Sequence, residues 1–433
     1  MNATRTGFLT LTIYVSFTTL FIWNAAVHSP AIDEVGHLPS GISHLQLGRF
    51  ELYAVNPPLA ESCAALPVLL YKPQVNWSGY LPSISSRSEF IVGRRFVAAN
   101  GSAAPILFFL GRIALFPFSV MAMSVASRWS RSLLSKVGAV IVLLMFASCP
   151  LFLANASLIT PDVTATAVGL LAIYCFRVWL KDSSWFHSFV LGLVTGLGLI
   201  SKFTWCVVFP GTAVVILILN RFFDRRNFLR DVLQLGVASL VAVFVVNSAY
   251  GFDGSFRQIR DFEFVCKALR QQDNVAVNNR FCGTILECLP IPLPACYVLG
   301  IDAQKRDFDF GFRSYLIGEW KHGGWWYYYI VGFLVKETIG FQLMLYSSVV
   351  HGLWDWRKWT RETVREWSLI VVPPLLIFGL VSSQTGFNHH MRYVLPAYPF
   401  LFIIAARTVT LGKFWKWFSY ACLTWQAASV LWF

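Results

Sequence analysis

Charge is scarce in this chain. Asp, Glu, Lys and Arg make up 13% of its 433 residues, about half the share usual in a soluble domain. That shortage excludes an ordinary water-soluble globule. Acid is scarcer still, with 22 Asp plus Glu against 35 Lys plus Arg and a formal net charge of +13. The excess does not point to nucleic acid, because the basic residues sit between apolar runs, where orientation signals belong. None of the nine cysteines forms a Cys-x-x-Cys pair or a Cys/His zinc spacing, which argues against a structural zinc site. No internal repeat stands out, and no matched pair of interrupted helices marks two transporter-like halves. The opening MNATRTG leads into an apolar run without a small-residue cleavage site, so it reads as an uncleaved first span. No soluble domain is expected after the last apolar run.

What the chain has is apolar length. Hydrophobic residues are 56%, including Phe 38, Trp 17 and Tyr 15, and the mean hydropathy is +0.58. The expected fold class is an all-α polytopic membrane protein with about ten or eleven transmembrane helices, at about 20 residues each. Residues 1–433 read as one integral membrane domain with two large extracytoplasmic loops, 28–100 and 251–324. The expected spans cover roughly 7–27, 104–126, 137–153, 163–180, 189–200, 203–219 and 232–250. Then come one from Trp325 that contains Lys336 and Glu337, two over roughly 368–381 and 394–406, and a last after Lys413 and Lys416. Basic loops with Arg128 and Arg131, with Arg225, Arg226 and Arg230, and with Arg357, Lys358 and Arg361 then share one side with Lys413 and Lys416. The positive-inside rule makes that side cytoplasmic.

The first long loop is the densest early collection of reactive groups. Asp33 and Glu34 follow span one directly, with His37 and His44 after them. Acids beside a membrane helix are costly unless they face water or a cation. Leu38 to Gly48 reads as a short interfacial helix with Pro39 in its first turn. Leu59 to Leu70 is too short to span. On the same face fall Asp162, Lys202, His389, His390 and Arg392, with Lys336 inside span eight. Carboxylates and cations gathered at one membrane face suit a reaction between a lipid-linked phosphate and an acceptor. A carboxylate can take the acceptor's proton, and Lys and Arg can hold the leaving phosphate. Asp33 and Asp162 can instead hold a divalent metal, the one cofactor this pattern raises. Blander roles stand beside these. Asp162 after Thr160-Pro161 suits a helix start, Lys202 can snorkel, Lys336 and Glu337 can pair with each other, and His389 and His390 can be turn residues. Asp307 and Asp309 read as solvated. Cys266, Cys282, Cys288 and Cys296 share the second loop, and one or two disulfides fit if it faces an oxidising compartment.

Five stretches, in order, carry a resemblance. DEVGHLPSGISHLQLGRFELYAVNPPL resembles the first outer loop of the polyprenyl-phosphate-sugar-dependent glycosyltransferases of the GT-C fold, the protein O-mannosyltransferase-like and lipid A aminoarabinose transferase-like enzymes. ASLITPDVTATAVGLLAIYCFRVWL, GLGLISKFTW, SYLIGEWKHGGWWYYYIVGFLVKETIG and NHHMRYVLPAYPF resemble later elements of the same family. The resemblance implies a sugar donor on polyprenyl or dolichyl phosphate and inverting transfer to a hydroxyl of a glycan, lipid or protein on the extracytoplasmic face. It implies Asp33 as the base or the acceptor-binding acid, supported by Glu34, with Asp162 completing the acidic site. It implies Lys202, Lys336, Arg392, His37 and His389 as groups for the lipid phosphate. The second loop with its four cysteines departs from the family pattern. The expected location is a bacterial inner membrane. Two rival readings remain, a flippase or transporter of a lipid-linked saccharide, and a membrane scaffold that binds a partner through its outer loops.

Overall fold

The computed structural model describes residues 3–223, 228–271 and 279–432, so Arg225 and Arg226 of the second basic loop lie outside the described residues. The chain is mostly helical. It runs through α1 (Ala3–Val27), α2 (Ile32–Leu47), α3 (Leu59–Leu70), α4 (Glu89–Asn100), α5 (Ala104–Leu133), α6 (Lys136–Ala147), α7 (Pro150–Ala156) and α8 (Pro161–Lys181). There follow α9 (Trp185–Leu199), α10 (Trp205–Phe223), α11 (Phe228–Ala249) and α12 (Ala295–Phe310), then the hairpin β1 (Arg313–Leu316) and β2 (Glu319–His322). The chain closes with α13 (Tyr328–Lys336), α14 (Ile339–Asp355), α15 (Arg361–Ser383), α16 (Tyr398–Ala406) and α17 (Lys413–Trp432).

Among the described residues, 6 helices are long and apolar enough to cross a membrane, or up to 8 if each of two bent pairs is one span. This makes the chain an integral multi-pass membrane protein. The reading of ten or eleven crossings also counted α9, α10 and α17. The helix α9 has only 15 residues, the apolar part of α10 is the short run Trp205–Leu219, and α17 is not among the spans. The span expected from Trp325 is broken: α13 and α14 meet at 118°. Lys336 and Glu337 sit at that break rather than inside a straight helix. The two do not pair, because Glu337 accepts a hydrogen bond from the Tyr398 hydroxyl at 2.6 Å.

The loop 28–100 is helical where an interfacial segment was expected. Helix α2 starts at Ile32 because the Glu34 carboxylate reaches back to the Ala31 N–H at 2.8 Å, half of a capping box. Pro39 therefore falls inside the helix, not in its first turn. It cannot bond the Val35 carbonyl, and that oxygen packs instead on Gly93 of α4, where a Cβ would lie 2.0 Å away. On the α3 side, Gly41 touches the Glu61 carbonyl, 2.0 Å from where its Cβ would stand. Two glycines thus let α2 sit in close contact with α3 and α4. Leu38 and Ile42 are buried, and Leu45 remains exposed.

Helix α5 is tied to this layer by one side chain. The Arg112 guanidinium donates to the carbonyls of Ala25 and His28 at 2.8 Å each and of Ser29 at 3.1 Å. It also grips Glu34 in a fork, Nε–Oε1 2.8 Å and Nη2–Oε2 2.6 Å. Glu34 accepts one more bond, from the Ile159 N–H at 2.9 Å. The main core packs aromatics between α1, α5, α6, α7 and α16, with Phe21 on Phe116, Phe146 on Phe152, and Phe146 on Phe402 each at 4.8 Å between ring centroids.

In the stretch 251–324, Asp307 is not solvated. Arg87 bonds it and also bonds Glu89 at 2.7 Å, which fixes α12 to α4. Asp309 holds Lys305 and the Lys267 N–H, each at 2.8 Å. All nine cysteines are free thiols, so the expected disulfides do not form. Cys266 is held through its N–H by Asp302 at 3.0 Å, whereas Cys296 packs with Phe50, Tyr250 and Tyr297. The hairpin turns at Ile317 and Gly318, φ 47° and 84°, the positive angles that a tight two-residue turn requires. It is stitched to the segment before Arg392: Phe312 N–H to Gly386 at 3.1 Å, Gly324 N–H to Thr385 at 2.6 Å, and Asn388 N–H to the Ser314 hydroxyl at 2.8 Å.

Replacing Arg112 by Met strands the buried Glu34 carboxylate. Removing one partner of a buried pair costs about 3–5 kcal/mol. The Arg112→Met chain will show a lower thermal-unfolding midpoint in detergent, and the Arg112→Met, Glu34→Gln double variant will recover part of the loss.

Candidate active site

Four segments bring their charged side chains to one point. Asp33 sits in the first turn of α2, where the helix dipole favours a carboxylate. Asp162 holds the same place in α8, after Pro161, whose fixed φ suits a first helical position. Lys202 follows the C-terminal end of α9, where a cation is favoured; its backbone N–H bonds the Gly198 carbonyl at 3.3 Å. Arg392 belongs to the short 3-10 turn Met391–Ala397 that precedes α16.

Arg392 is the bridge. Its Nη2 donates to the Asp33 carboxylate, and its Nε lies 3.3 Å from Asp162 Oδ2. The other oxygen of Asp162 accepts from the Lys202 ammonium at 2.5 Å. The Lys202 ammonium also stands 5.3 Å from the centre of the Tyr393 ring, a cation–π contact. Asp162 is therefore no simple helix cap, and Lys202 does not snorkel. Exposure separates the two acids: the Asp33 side chain is 19% exposed and that of Asp162 3%. Asp33 is the more accessible of the two carboxylates. Asp162 is the buried counter-ion that holds both cations in place.

The other expected residues fall elsewhere. Glu34, next to Asp33, points about 100° away around α2 and is saturated by Arg112, Ala31 and Ile159; it holds the helix rather than bonding into the cluster. His37 is buried and bonds Glu61 through Nδ1 at 2.7 Å. His389 is exposed, with Nε2 on the Arg313 carbonyl at 2.7 Å, and so braces the hairpin. His390 next to it is also exposed, and desolvation together with Arg392 pushes its imidazole below the usual range. Lys336 is exposed at the α13–α14 break, apart from the cluster. Asp33 and Asp162, the expected metal carboxylates, already face a guanidinium and an ammonium. A divalent ion fits there only by displacing those cations, and among the described residues no group of three or more His, Cys, Asp or Glu could hold one.

Three important residues escaped the sequence reading. Arg112 is the lone charge in the apolar run FFLGRIALF, Glu61 the lone charge in LAESCAALPVLL, and Glu89 anchors Arg87. A single ionisable group in an apolar run was the available signal, since such groups need a partner. Glu61 lies between two histidines: His37 on Oε1, and His44 with its Nε2 3.6 Å from Oε2.

Residues 108–250 match the family model of dolichyl-phosphate-mannose-protein mannosyltransferases. The crystal structure of ArnT from Cupriavidus metallidurans in the apo state is similar to this chain, with a TM-score of 0.57 at 13% sequence identity. The match covers 96% of this chain and 62% of that one, so this chain spans less than two thirds of its length. No curated protein matches the chain. At that identity the likeness carries the fold, and the family segment holds Arg112, Asp162 and Lys202.

The second polar layer has a pH signature. Burial pushes the His44 imidazole down to about 3 from 6.5. The unfolded chain therefore binds a proton that the folded one refuses. The His44 contribution is intact above about pH 6.5 and declines as pH falls toward 3, by up to about 1.4 kcal/mol per pH unit. Thermal midpoints measured from pH 7.5 to 4.5 will fall for the wild type and fall less steeply for His44→Gln.

Proposed function

We propose that this chain, a membrane glycosyltransferase of the GT-C type, moves a sugar from a polyprenyl- or dolichyl-phosphate donor to a hydroxyl acceptor, with inversion at the sugar carbon. The observation that carries the reading is the Arg392 guanidinium shared by Asp33 and Asp162 with Lys202 beside it. An accessible carboxylate and two cations around a buried acid meet the needs of this chemistry. Asp33 accepts the acceptor's proton as the hydroxyl oxygen attacks the anomeric carbon. The bond from that carbon to the phosphate oxygen breaks, and the lipid phosphate leaves with the electron pair. Charge grows on that phosphate, and fixed cations stabilise it.

The donor count supports this division of labour. A guanidinium carries five N–H groups; Arg392 bonds Asp33 through Nη2, and its Nε faces Asp162 at 3.3 Å without a hydrogen bond, so donors remain for a phosphate oxygen in this reading. Lys202 has three N–H groups and gives one to Asp162. Glu34 serves indirectly by fixing the start of α2 and hence Asp33. The face is extracytoplasmic in this reading, because the basic connections gather at the other end of the helices. At that far end of α8, Arg177 and Lys181 pair with Glu366 at 2.5 and 2.6 Å, about 30 Å away by the rise of a helix of this length. A bacterial inner membrane suits the reading, and the acceptor class stays a glycan, lipid or protein hydroxyl.

Purified chain in nanodiscs, given a panel of polyprenyl-phosphate sugars and a membrane extract as acceptor source, will release free polyprenyl phosphate. Asp33→Asn will lower that release by at least roughly 100-fold while leaving the thermal midpoint near that of the wild type. Near-normal turnover in Asp33→Asn would remove Asp33 from the mechanism.

A further inference from the structure

The reaction proposed above, on which this inference rests, leaves a proton on Asp33. A free carboxylate holds a proton only below about pH 4, whereas an imidazole holds one near neutrality. Behind Asp33 the structure carries a buried imidazole–carboxylate pair that the transfer step does not use. His37 stands four residues after Asp33 on α2, hence on the same helix face with Cβ atoms about 5–6 Å apart. Its Nδ1 lies 2.7 Å from Glu61 Oε1, and the two side chains are only 4% and 1% exposed. Glu61 Oε2 is buried without a hydrogen bond. A buried carboxylate with one oxygen unsatisfied is costly, and a positive charge on the facing imidazole would relieve that cost. Among the described residues no hydrogen bond reaches His37 Nε2.

We propose that His37 is a positioning residue for transfer: Glu61 holds its Nδ1–H, and Nε2 is the resting place for the proton that Asp33 takes from the acceptor. The arrangement follows the logic of a hydroxyl–imidazole–carboxylate triad, in which the carboxylate orients the ring and stabilises the imidazolium. Here Asp33 stands between hydroxyl and ring. The acceptor O–H bond breaks as its oxygen bonds the anomeric carbon, and the lipid phosphate leaves with the electron pair of the broken bond. The proton passes to the Asp33 carboxylate and then to His37 Nε2, and it leaves to water once the product departs. The groups facing His37 are Asp33 and His44 on its own helix, Glu61 from α3, Glu89 from α4, and Asp162 from α8, which the His37 charge reaches. The Tyr53 ring packs at 4.6 Å from the imidazole, and Arg87 lies over the far part of that tyrosine at 6.0 Å.

The test is the transfer rate between pH 5 and 8, with the donor KM, for the wild type, Asp33→Asn, His37→Gln and Glu61→Gln in nanodiscs. The donor is the polyprenyl-phosphate sugar that the wild type turns over. His37→Gln will lose roughly 100-fold in turnover at an unchanged donor KM, and its rate will no longer rise from acid to neutral pH. Glu61→Gln keeps an acceptor for Nδ1–H but no charge, so the rise will persist and move to lower pH. A wild-type profile in His37→Gln, or a loss confined to donor KM, overturns the proposal. If His37→Gln does not fold, Glu61→Gln decides alone, and an unmoved rise overturns it. An inactive Asp33→Asn beside a normal His37→Gln sinks the relay and leaves the glycosyltransferase reading standing. A wild type that transfers nothing sinks both.

Discussion

The structure depends on one guanidinium held between two carboxylates. Asp33 and Asp162 come from different helices, and Arg392 comes from a turn some 230 residues further along. Two acids brought together in a poorly hydrated place repel each other and cannot both stay ionised. Arg392 removes that conflict, because its planar fork can meet two carboxylates at once. Lys202 completes the balance from the end of α9. Asp33, Asp162 and Lys202 sit at or just past helix ends whose dipoles favour the sign each carries, and Arg392 sits in the 3-10 turn before α16. The cluster thus couples α2, α8, the α9–α10 turn and the start of α16. Loss of Asp162 leaves the Lys202 ammonium without its carboxylate, whereas loss of Asp33 leaves Arg392 still facing Asp162.

That geometry needs a rigid neighbour, and α2 supplies it. Consecutive residues on a helix point about 100° apart, so Asp33 and Glu34 serve different purposes. Glu34 turns inward and is clamped by Arg112, which joins α1, α2, α5 and the segment before α8. Asp33 turns toward Arg392. Close contact at Gly41 and Gly93 keeps α2 from sliding against α3 and α4. The hairpin does a similar task on the other side, because its hydrogen bonds to 385–388 fix the approach to Arg392. The site is therefore assembled on packed elements, with Asp33 and Arg392 its most exposed members.

Much of this was legible in the chain. Asp33, Asp162, Lys202 and Arg392 could be singled out, since charges flanking apolar runs are costly and need a reason. Their mutual contact could not be read, because pairing across hundreds of residues has no local signature. Glu34 was grouped with Asp33 because adjacency in sequence hides the roughly 100° turn between neighbours on a helix. Lys336 was placed inside a span because averaged hydropathy is blind to a 118° bend. His37 and His389 carried the right residue type for a phosphate, but their partners, Glu61 and the Arg313 carbonyl, lie on elements whose packing is set by tertiary structure. The loop 28–100 was read with one short interfacial helix at Leu38–Gly48, whereas it holds three helices, α2, α3 and α4, packed on one another.

The most direct test of the central claim is single-turnover transfer by Arg392→Lys beside the wild type, with donor binding measured separately. Lysine keeps the positive charge but cannot bridge two carboxylates and a phosphate. Donor affinity should change little, while the rate constant of the chemical step falls by roughly 100-fold, the scale seen when one preorganised donor is lost. A rate constant equal to that of the wild type would contradict the account, because charge alone would then suffice and the shared guanidinium would not be what holds the site.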